Sequence, residues 1–188
     1  MNLLRFEDLR DVVLVGHSYA GAVVTTAAAD RMPDRIAQLV FVDTGPLPDG
    51  VANDEFSPPQ ERDRNAAMVA EHGDGWRLPP PPWAEVAAGA ADVDESVVAL
   101  LDERSVAQPW ATATAPVRLT GAWEKLPRLG VLSSFTAEQV RQMATTVPLC
   151  RHLAGDSWRY EELPTWHWPM LSRPAELARI LHHARPTT

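Results

Sequence analysis

Two apolar runs rich in β-branched residues predict buried strands, at residues 12–15 and 36–42. The alanine-rich stretch between them, residues 21–31, predicts a helix that ends before Pro33. Two apolar strands joined by one helix are typical of a parallel βαβ unit. The pattern therefore predicts an α/β fold with a mostly parallel sheet flanked by helices.

Four further elements are predicted in the C-terminal half of the chain. Residues 115–121 predict a third strand, followed by a loop to Glu124. Residues 136–139 form a capping-box sequence that predicts the start of a helix. Residues 158–163 predict a short last strand, and residues 174–185 predict a closing amphipathic helix.

The middle of the chain, about residues 45–114, differs in character from both ends. Proline and glycine are frequent, residues 79–82 are four consecutive prolines, and only residues 62–71 and 92–104 have helical patterns. The simplest interpretation is a loop-rich insert. We favour a lid or cap over a binding site, because long irregular segments in compact domains are usually functional. Three tryptophans would then wall the pocket: Trp76, Trp83 and Trp110.

Composition and charge exclude several classes of function. A chain of 188 residues with 45% hydrophobic and 22% charged residues suits one globular domain. A net charge of −8 argues against nucleic acid or an anionic membrane as partners. The single cysteine, Cys150, cannot form an internal disulfide, and the first residues lack the layout of a signal peptide. These features predict a cytoplasmic protein that acts on a small molecule.

The chemistry centres on the sequence Gly-His-Ser-Tyr-Ala-Gly, residues 16–21, which lies between the first strand and the first helix. Such a tight turn lifts a serine hydroxyl above the end of a sheet. The stretch resembles the nucleophile elbow of the α/β-hydrolases, although Ala20 stands where the strict Gly-x-Ser-x-Gly pattern has glycine. The resemblance implies that Ser18 is the nucleophile and that the backbone N–H of Tyr19 belongs to the oxyanion hole.

His167 is the candidate base, because a serine hydroxyl needs a proton acceptor. It lies between the last predicted strand and the closing helix, in a stretch that resembles the histidine loop of the methylesterase and hydroxynitrile-lyase-like branch and of related bacterial esterases. Trp166 stands where that branch usually has glycine. A histidine between two tryptophans could instead be a packed structural residue, and we favour catalysis.

The family order of serine, acid and histidine leaves two candidates for the acid. Aligning residues 116–124 with the family pattern places Glu124 there. Asp43, directly after the second predicted strand, is the alternative, because some members carry the acid one strand earlier. We prefer Glu124 narrowly. The resemblance also suggests that His17 packs beneath the elbow or helps to orient it.

No metal or cofactor is expected. The histidines lack the spacing of a zinc site, no cluster of carboxylates suggests calcium or magnesium, and the glycines of residues 16–21 serve the turn rather than a phosphate loop. A serine hydrolase requires none of these groups.

The position of the elbow is unusual, because only ten residues precede Asp11. A complete sheet of this family would need on the order of 70–100 residues there. We therefore expect a single α/β-hydrolase domain over residues 1–188 that lacks its N-terminal strands and its second oxyanion donor. One edge of the elbow strand would then be exposed, and a homodimer could form through it.

Two hypotheses about function remain open. The first is a serine hydrolase that acts on a small carboxylic ester. The second is a non-catalytic remnant of such an enzyme, which folds weakly or with a partner. Cyanohydrin cleavage by the same residues needs an added basic group, and Lys125 is the only lysine, so it ranks below both.

Overall fold

The computed structural model describes residues 1–184. Arg185, the predicted last residue of the closing helix, lies outside the described residues. The chain divides into two compact units: the first comprises Met1–Gly50 and Val117–Thr188, and the second comprises Val51–Pro116.

The strands are β1 (Val12–His17), β2 (Ile36–Val42), β3 (Arg77–Leu78), β4 (Gln108–Pro109), β5 (Arg128–Leu132) and β6 (Trp158–Glu162). In the first unit, β1, β2, β5 and β6 form a four-stranded sheet in that order, and every neighbouring pair is parallel. The prediction of a parallel sheet is confirmed. The predicted bounds of β2 agree with the structure.

The helices are α1 (Asn2–Phe6), α2 (Thr26–Arg31), α3 (Pro59–His72), α4 (Trp83–Val86), α5 (Glu95–Arg104), α6 (Ala111–Thr114), α7 (Ala137–Thr146), α8 (Pro169–Ser172) and α9 (Pro174–His182). A π-helical segment, Ala20–Thr25, runs directly into α2. Four 3₁₀ turns complete the inventory: Pro33–Arg35, Asn53–Phe56, Ala122–Lys125 and Pro148–Leu153. Within the described residues, no helix is long and apolar enough to cross a membrane.

The predicted strand at residues 115–121 is wrong. The strand in this part of the sequence is β5, which begins only at Arg128. Asp30 explains the difference: its buried carboxylate accepts hydrogen bonds from the backbone N–H groups of Thr120 and Trp123, at 2.7 and 3.4 Å. Gly121 then adopts a left-handed conformation with a φ of 85°. A segment whose N–H groups bind a carboxylate and whose backbone reverses direction does not pair along a sheet.

Alternating residues of β2 face the cores on the two sides of the sheet. Leu39 and Phe41 pack in one cluster with Trp123 and Trp158. Val40 and Val42 pack in the other, where α9 contributes Leu177. Burial on both faces explains why β2 is apolar apart from Gln38 and why its bounds could be predicted.

The second unit contains α3 to α6 and a small antiparallel pair, β3 and β4. Asp94 caps α5 by accepting hydrogen bonds from the N–H groups of Ser96 and Val97. In the first unit, the N–H of Gly50 donates to the carbonyl of Val117 at 2.9 Å. The chain therefore leaves and re-enters the first unit at adjacent points.

Candidate active site

The turn after β1 holds Ser18 in a strained conformation. Its φ is +48°, in the left-handed region that residues other than glycine rarely adopt. The backbone returns to helical angles at Tyr19, with φ −48° and ψ −43°. The turn therefore presents Ser18 between the carboxyl end of a strand and the start of a helical segment.

Two glycines allow the strand and the helical segment to approach closely. A Cβ on Gly16 would lie 2.2 Å from Thr25 Oγ1 and 2.5 Å from the Cα of Gly21. A Cβ on Gly21 would lie 2.8 Å from the carbonyl oxygen of Gly16. Ala20, by contrast, is exposed. The close contact is made at Gly21, so alanine at residue 20 is tolerated.

Replacing Gly16 with alanine should destabilise the protein by about 3 kcal/mol or more, because the added methyl group meets backbone that cannot move aside cheaply. Ala20→Gly restores the strict motif, and it should cost only about 1 kcal/mol for the greater freedom of the unfolded chain. Urea denaturation of both variants gives the comparison. Equal stability of the two would contradict the assignment of the close contact.

Three side chains from separate parts of the sequence form a hydrogen-bonded chain. His167 Nε2 lies 2.9 Å from Ser18 Oγ, and His167 Nδ1 lies 2.6 Å from Asp43 Oδ2. Ser18 follows β1, Asp43 follows β2, and His167 lies between β6 and α8. All three therefore come after the carboxyl ends of parallel strands. The geometry allows the hydroxyl to donate to Nε2 while the Nδ1–H donates to the carboxylate.

Asp43 is held as a buried carboxylate, with only 1% of its side chain exposed. Its Oδ1 accepts the N–H groups of Ser133 and Ser134 at 2.9 and 2.8 Å, and its Oδ2 accepts the Ser134 hydroxyl at 2.5 Å. Burial raises the pKa of Asp43, but the hydrogen bonds from His167, Ser134 and Ser133 outweigh it and lower the pKa to about 2. Asp43 is therefore ionised at neutral pH.

The structure corrects the preference for Glu124 as the partner of the histidine. Glu124 is exposed on the 3₁₀ turn Ala122–Lys125, and the carboxylate that contacts His167 is Asp43, the alternative. The misplaced third strand is the reason for the error. The true strand, β5, is followed directly by two serines that donate to Asp43. Sequence reasoning overlooked them, although Ser-Ser directly after a buried apolar run could have marked a carboxylate-binding loop.

His17 contacts both the backbone and the ring of His167. Its Nε2–H donates to the backbone carbonyl of His167 at 2.7 Å, and the two rings lie 4.8 Å apart. The hydrogen bond fixes which nitrogen of His17 carries a proton, because a carbonyl can only accept. Burial is the main cause that lowers the pKa of His17. This hydrogen bond is the contact through which His17 would orient the loop, as the resemblance suggests.

Trp166 is accommodated without displacing His167. Its ring packs at 4.4 Å from the ring of Trp168, and Trp168 in turn meets the His167 ring edge-on at 4.7 Å. The two indoles thus form an aromatic wall on the loop that carries the imidazole. This arrangement explains how the loop accepts tryptophan in place of glycine.

The half-buried His17 should make the protein less stable as the pH falls below about 6.5, the ordinary histidine pKa. Because the folded-state pKa is lowered, the unfolded chain binds the proton more readily, so this contribution is complete above pH 6.5 and is lost as the pH falls towards the folded-state pKa. Urea denaturation between pH 8 and 5 should show the decline. His17→Gln should make the decline smaller, with His152, whose pKa burial also lowers, accounting for part of what remains. His72→Gln, at an exposed histidine, should leave the decline as it is. An unchanged profile in His17→Gln would contradict the assignment.

The site contains no recognisable metal centre. Among residues 1–184, no group of three histidine, cysteine, aspartate or glutamate side chains is placed to hold a metal ion. The arrangement of hydroxyl, imidazole and carboxylate is suited to nucleophilic acyl transfer.

Comparisons with known proteins place this geometry in context. The model of the alpha/beta hydrolase family matches residues 2–180. A carbendazim hydrolyzing esterase from Nocardioides sp. (strain SG-4G) is 28% identical over an alignment of 208 positions, which covers 96% of this chain and 74% of that protein. This chain is thus shorter than the relative that it resembles.

Solved structures share the fold. An extracellular alpha/beta-hydrolase from a Paenibacillus species superimposes with a TM-score of 0.78 at 16% identity, covering 99% of this chain and 76% of its own. A pyrethroid hydrolase from Sphingobium faniae JZ-2 superimposes with a TM-score of 0.63 at 21% identity, covering 96% and 74%. The predicted fold class, a partial sheet of this type flanked by helices, is confirmed.

Proposed function

Because this chain belongs to the alpha/beta hydrolase family, we propose that it is a serine esterase that hydrolyses a small carboxylic ester. The observation that carries the proposal is the chain of hydrogen bonds from Ser18 through His167 to Asp43. The names of two similar proteins, an esterase and a pyrethroid hydrolase, favour the same class of reaction. In this proposal the turn at residues 16–21 is a nucleophile elbow.

The proposed reaction proceeds by acyl transfer to Ser18. His167 Nε2 takes the hydroxyl proton as Oγ attacks the ester carbonyl carbon, and the ionised Asp43 stabilises the resulting imidazolium. The backbone N–H of Tyr19 donates to the carbonyl oxygen as it becomes an oxyanion. His167 then gives the proton to the leaving alcohol, and the acyl group stays on Ser18 Oγ. In the second half, His167 Nε2 takes a proton from water as the water oxygen attacks the acyl carbon, and it returns that proton to Oγ as the bond between Oγ and the acyl carbon breaks, which releases the acid and restores Ser18.

The aromatic wall formed by Trp166 and Trp168 favours substrates with a small apolar or aromatic group. The Trp168 ring lies beside the imidazole, where a bound ester would place its acyl or alkoxy group, and Trp166 extends the wall from there. We therefore expect short-chain and aromatic esters to react faster than charged ones. No cofactor takes part in this proposal.

Active-site labelling tests the proposal directly. Incubation with a serine-reactive phosphonate should add one phosphonyl group to the peptide that contains Ser18, and it should abolish hydrolysis of p-nitrophenyl butyrate. Prior incubation with an excess of a slowly hydrolysed ester should protect the site. Absence of the Ser18 adduct from a folded sample would favour the alternative, a non-catalytic member of the family.

β1 lies at an edge of the described sheet, and apolar side chains in β1 and in the helical segment that follows it are exposed: Val24 by 57% and Val15 by 41%. We propose that a second copy of the chain covers this edge, as an exposed strand invites pairing. Light scattering after size-exclusion chromatography should give the mass of a dimer, and Val15→Lys should give a monomer.

We also propose that the second unit limits which substrates reach the serine. Of the three tryptophans predicted to wall a pocket, Trp76 is the exposed one, by 56%. Trp76→Ala should change KM for aromatic esters more than kcat. Val106→Ala, at a side chain of the same unit that is 84% exposed, is the matched control and should change neither.

The cytoplasm is the proposed location, carried by the single free cysteine. Cys150 is buried, and burial raises the pKa of its thiol, so it is poorly reactive. The Paenibacillus protein is described as extracellular. Fractionation of cells that produce this chain from its own gene separates the two locations.

A further inference from the structure

The two oxygens of the Asp43 carboxylate have different partners. Oδ1 accepts hydrogen bonds from the backbone N–H groups of Ser133 and Ser134, at 2.9 and 2.8 Å. Oδ2 lies 2.6 Å from His167 Nδ1 and 2.5 Å from the Ser134 hydroxyl. The oxygen that faces the imidazole is therefore also bound by a side chain from the loop after β5.

The Ser134 hydroxyl is the donor in its contact with Asp43 Oδ2. Although burial raises the pKa of Asp43, its hydrogen bonds lower it to about 2, so the carboxylate is ionised and can only accept. The Nδ1–H of His167 donates to the same oxygen for the same reason. Two donors thus converge on one atom of a side chain that is only 1% exposed.

The pairing of β2 with β5 fixes where this hydroxyl lies. The two strands are parallel neighbours, with Val42 opposite Val131, and the N–H of Asp43 donates to the carbonyl of Val131 at 2.7 Å. Ser134 lies in the loop that follows β5, and its own N–H binds the carboxylate. The position of the hydroxyl relative to Asp43 is therefore set by the backbone of the sheet and its loop.

The adjacent serine provides a comparison within the same loop. Ser133 Oγ is buried and has no hydrogen-bond partner among the described residues, whereas Ser134 Oγ is bonded to Asp43. Each of the two residues also donates one backbone N–H to Oδ1, and alanine would keep that N–H. Removing each hydroxyl in turn therefore isolates the effect of the bond from Ser134 to Oδ2.

We propose that Ser134 is a positioning residue, whose hydroxyl holds Asp43 Oδ2 in line with the Nδ1–H of His167 as the imidazolium forms. This inference rests on the proposed function, because it concerns the same transfer of a proton from Ser18. Two N–H groups fix one oxygen of the carboxylate, and the hydroxyl fixes the oxygen that faces the imidazole. Hydrogen bonds to a charged group are short and strong, so they restrict its orientation.

Ser134 also sets how strongly the carboxylate favours a protonated imidazole. The hydroxyl offsets part of the negative charge on Oδ2, so its removal leaves more charge facing the Nδ1 of His167. The imidazolium is then stabilised in the free enzyme, and the ring becomes available as a base only at a higher pH. His17, whose ring lies 4.8 Å from that of His167, is unaltered in these variants and contributes equally to each pH profile.

Steady-state kinetics between pH 5.5 and 9 test the proposal on the full chain. Ser134→Ala should lower kcat for p-nitrophenyl butyrate by about 10-fold with KM unchanged, because the lost hydrogen bond acts on a charged group that does not bind the substrate. The acidic limb of kcat/KM should move up by about 0.5 pH unit. Ser134→Thr keeps a hydroxyl at an exposed residue and should restore both quantities, and Ser133→Ala should lower kcat by less than Ser134→Ala does.

NMR titration of the His167 ring needs no turnover and separates this inference from the proposed function. In protein labelled with ¹⁵N-histidine, the midpoint for this ring should be higher in Ser134→Ala than in the unaltered chain and should return in Ser134→Thr. If the unaltered chain hydrolyses no ester, the proposed function fails and the titration alone decides the role of Ser134. An unchanged midpoint in Ser134→Ala overturns the inference. In an active enzyme, so does an unchanged kcat in Ser134→Ala, no recovery in Ser134→Thr, or a larger loss in Ser133→Ala.

Discussion

Ser18→Ala should slow the hydrolysis of p-nitrophenyl esters by about 10,000-fold or more. The variant lacks the only atom that forms the covalent bond to the acyl group in the proposed mechanism, and the hydrogen bond to His167 Nε2 disappears with it. Loss of kcat with little change in KM is expected, because the hydroxyl acts on the transition state rather than on binding. Steady-state kinetics with p-nitrophenyl acetate and butyrate provide the measurement.

A second variant at the same residue separates catalysis from folding. Ser18 has a φ of +48°, which glycine adopts without strain. Ser18→Gly should therefore be inactive but more stable than the unaltered chain by about 1 kcal/mol. An inactive and more stable protein cannot be explained by unfolding. Equal rates in Ser18→Ala and the unaltered chain would end the proposal that Ser18 is the nucleophile.

The serine and the histidine could be placed from the sequence because local patterns define them. β1 and β2 are apolar runs bounded by turns, and a strand, a tight turn and a helix occur within about twenty residues of one another. Ser18 lies at the only corner of that unit with the required glycines. His167 follows from its place between the last strand and the last helix.

The carboxylate that contacts His167 could not be predicted in the same way, because its position depends on contacts between residues distant in sequence. Residues 115–121 have β-branched and apolar residues, but Asp30 binds their backbone and prevents pairing. β5 is a run of only five residues with glycine at its centre, so its pattern is weak. Because the sequence pattern predicts the strand at residues 115–121 instead of at β5, the expected carboxylate is Glu124 rather than Asp43.

The turn at residues 16–21 also differs from what its sequence pattern alone indicates. Ala20 is the position at which the chain departs from the Gly-x-Ser-x-Gly pattern. The space between strand and helix instead restricts Gly16 and Gly21, where an added Cβ would lie less than 3.0 Å from backbone atoms. The π-helical start of the following segment is consistent with this shift, since it changes which residue faces the strand.

Asp43→Asn should slow ester hydrolysis by about 10,000-fold, whereas Glu124→Gln should leave the rate within about twofold. Asparagine has nearly the same shape, tolerates the φ of +50° at this position and keeps an oxygen to accept the N–H groups of Ser133 and Ser134. The fold should therefore survive, which thermal denaturation can confirm.

The loss of rate in Asp43→Asn follows from the tautomer of His167. An amide NH₂ that faces Nδ1 donates a hydrogen bond to that nitrogen, so the ring proton moves to Nε2. A protonated Nε2 can no longer accept the proton of Ser18. The substitution also removes the negative charge that stabilises the imidazolium. Since the pKa of Asp43 is lowered to about 2, that charge is present throughout the range in which the esterase would be assayed. A normal rate in Asp43→Asn together with a large loss in Glu124→Gln would restore Glu124 as the acid.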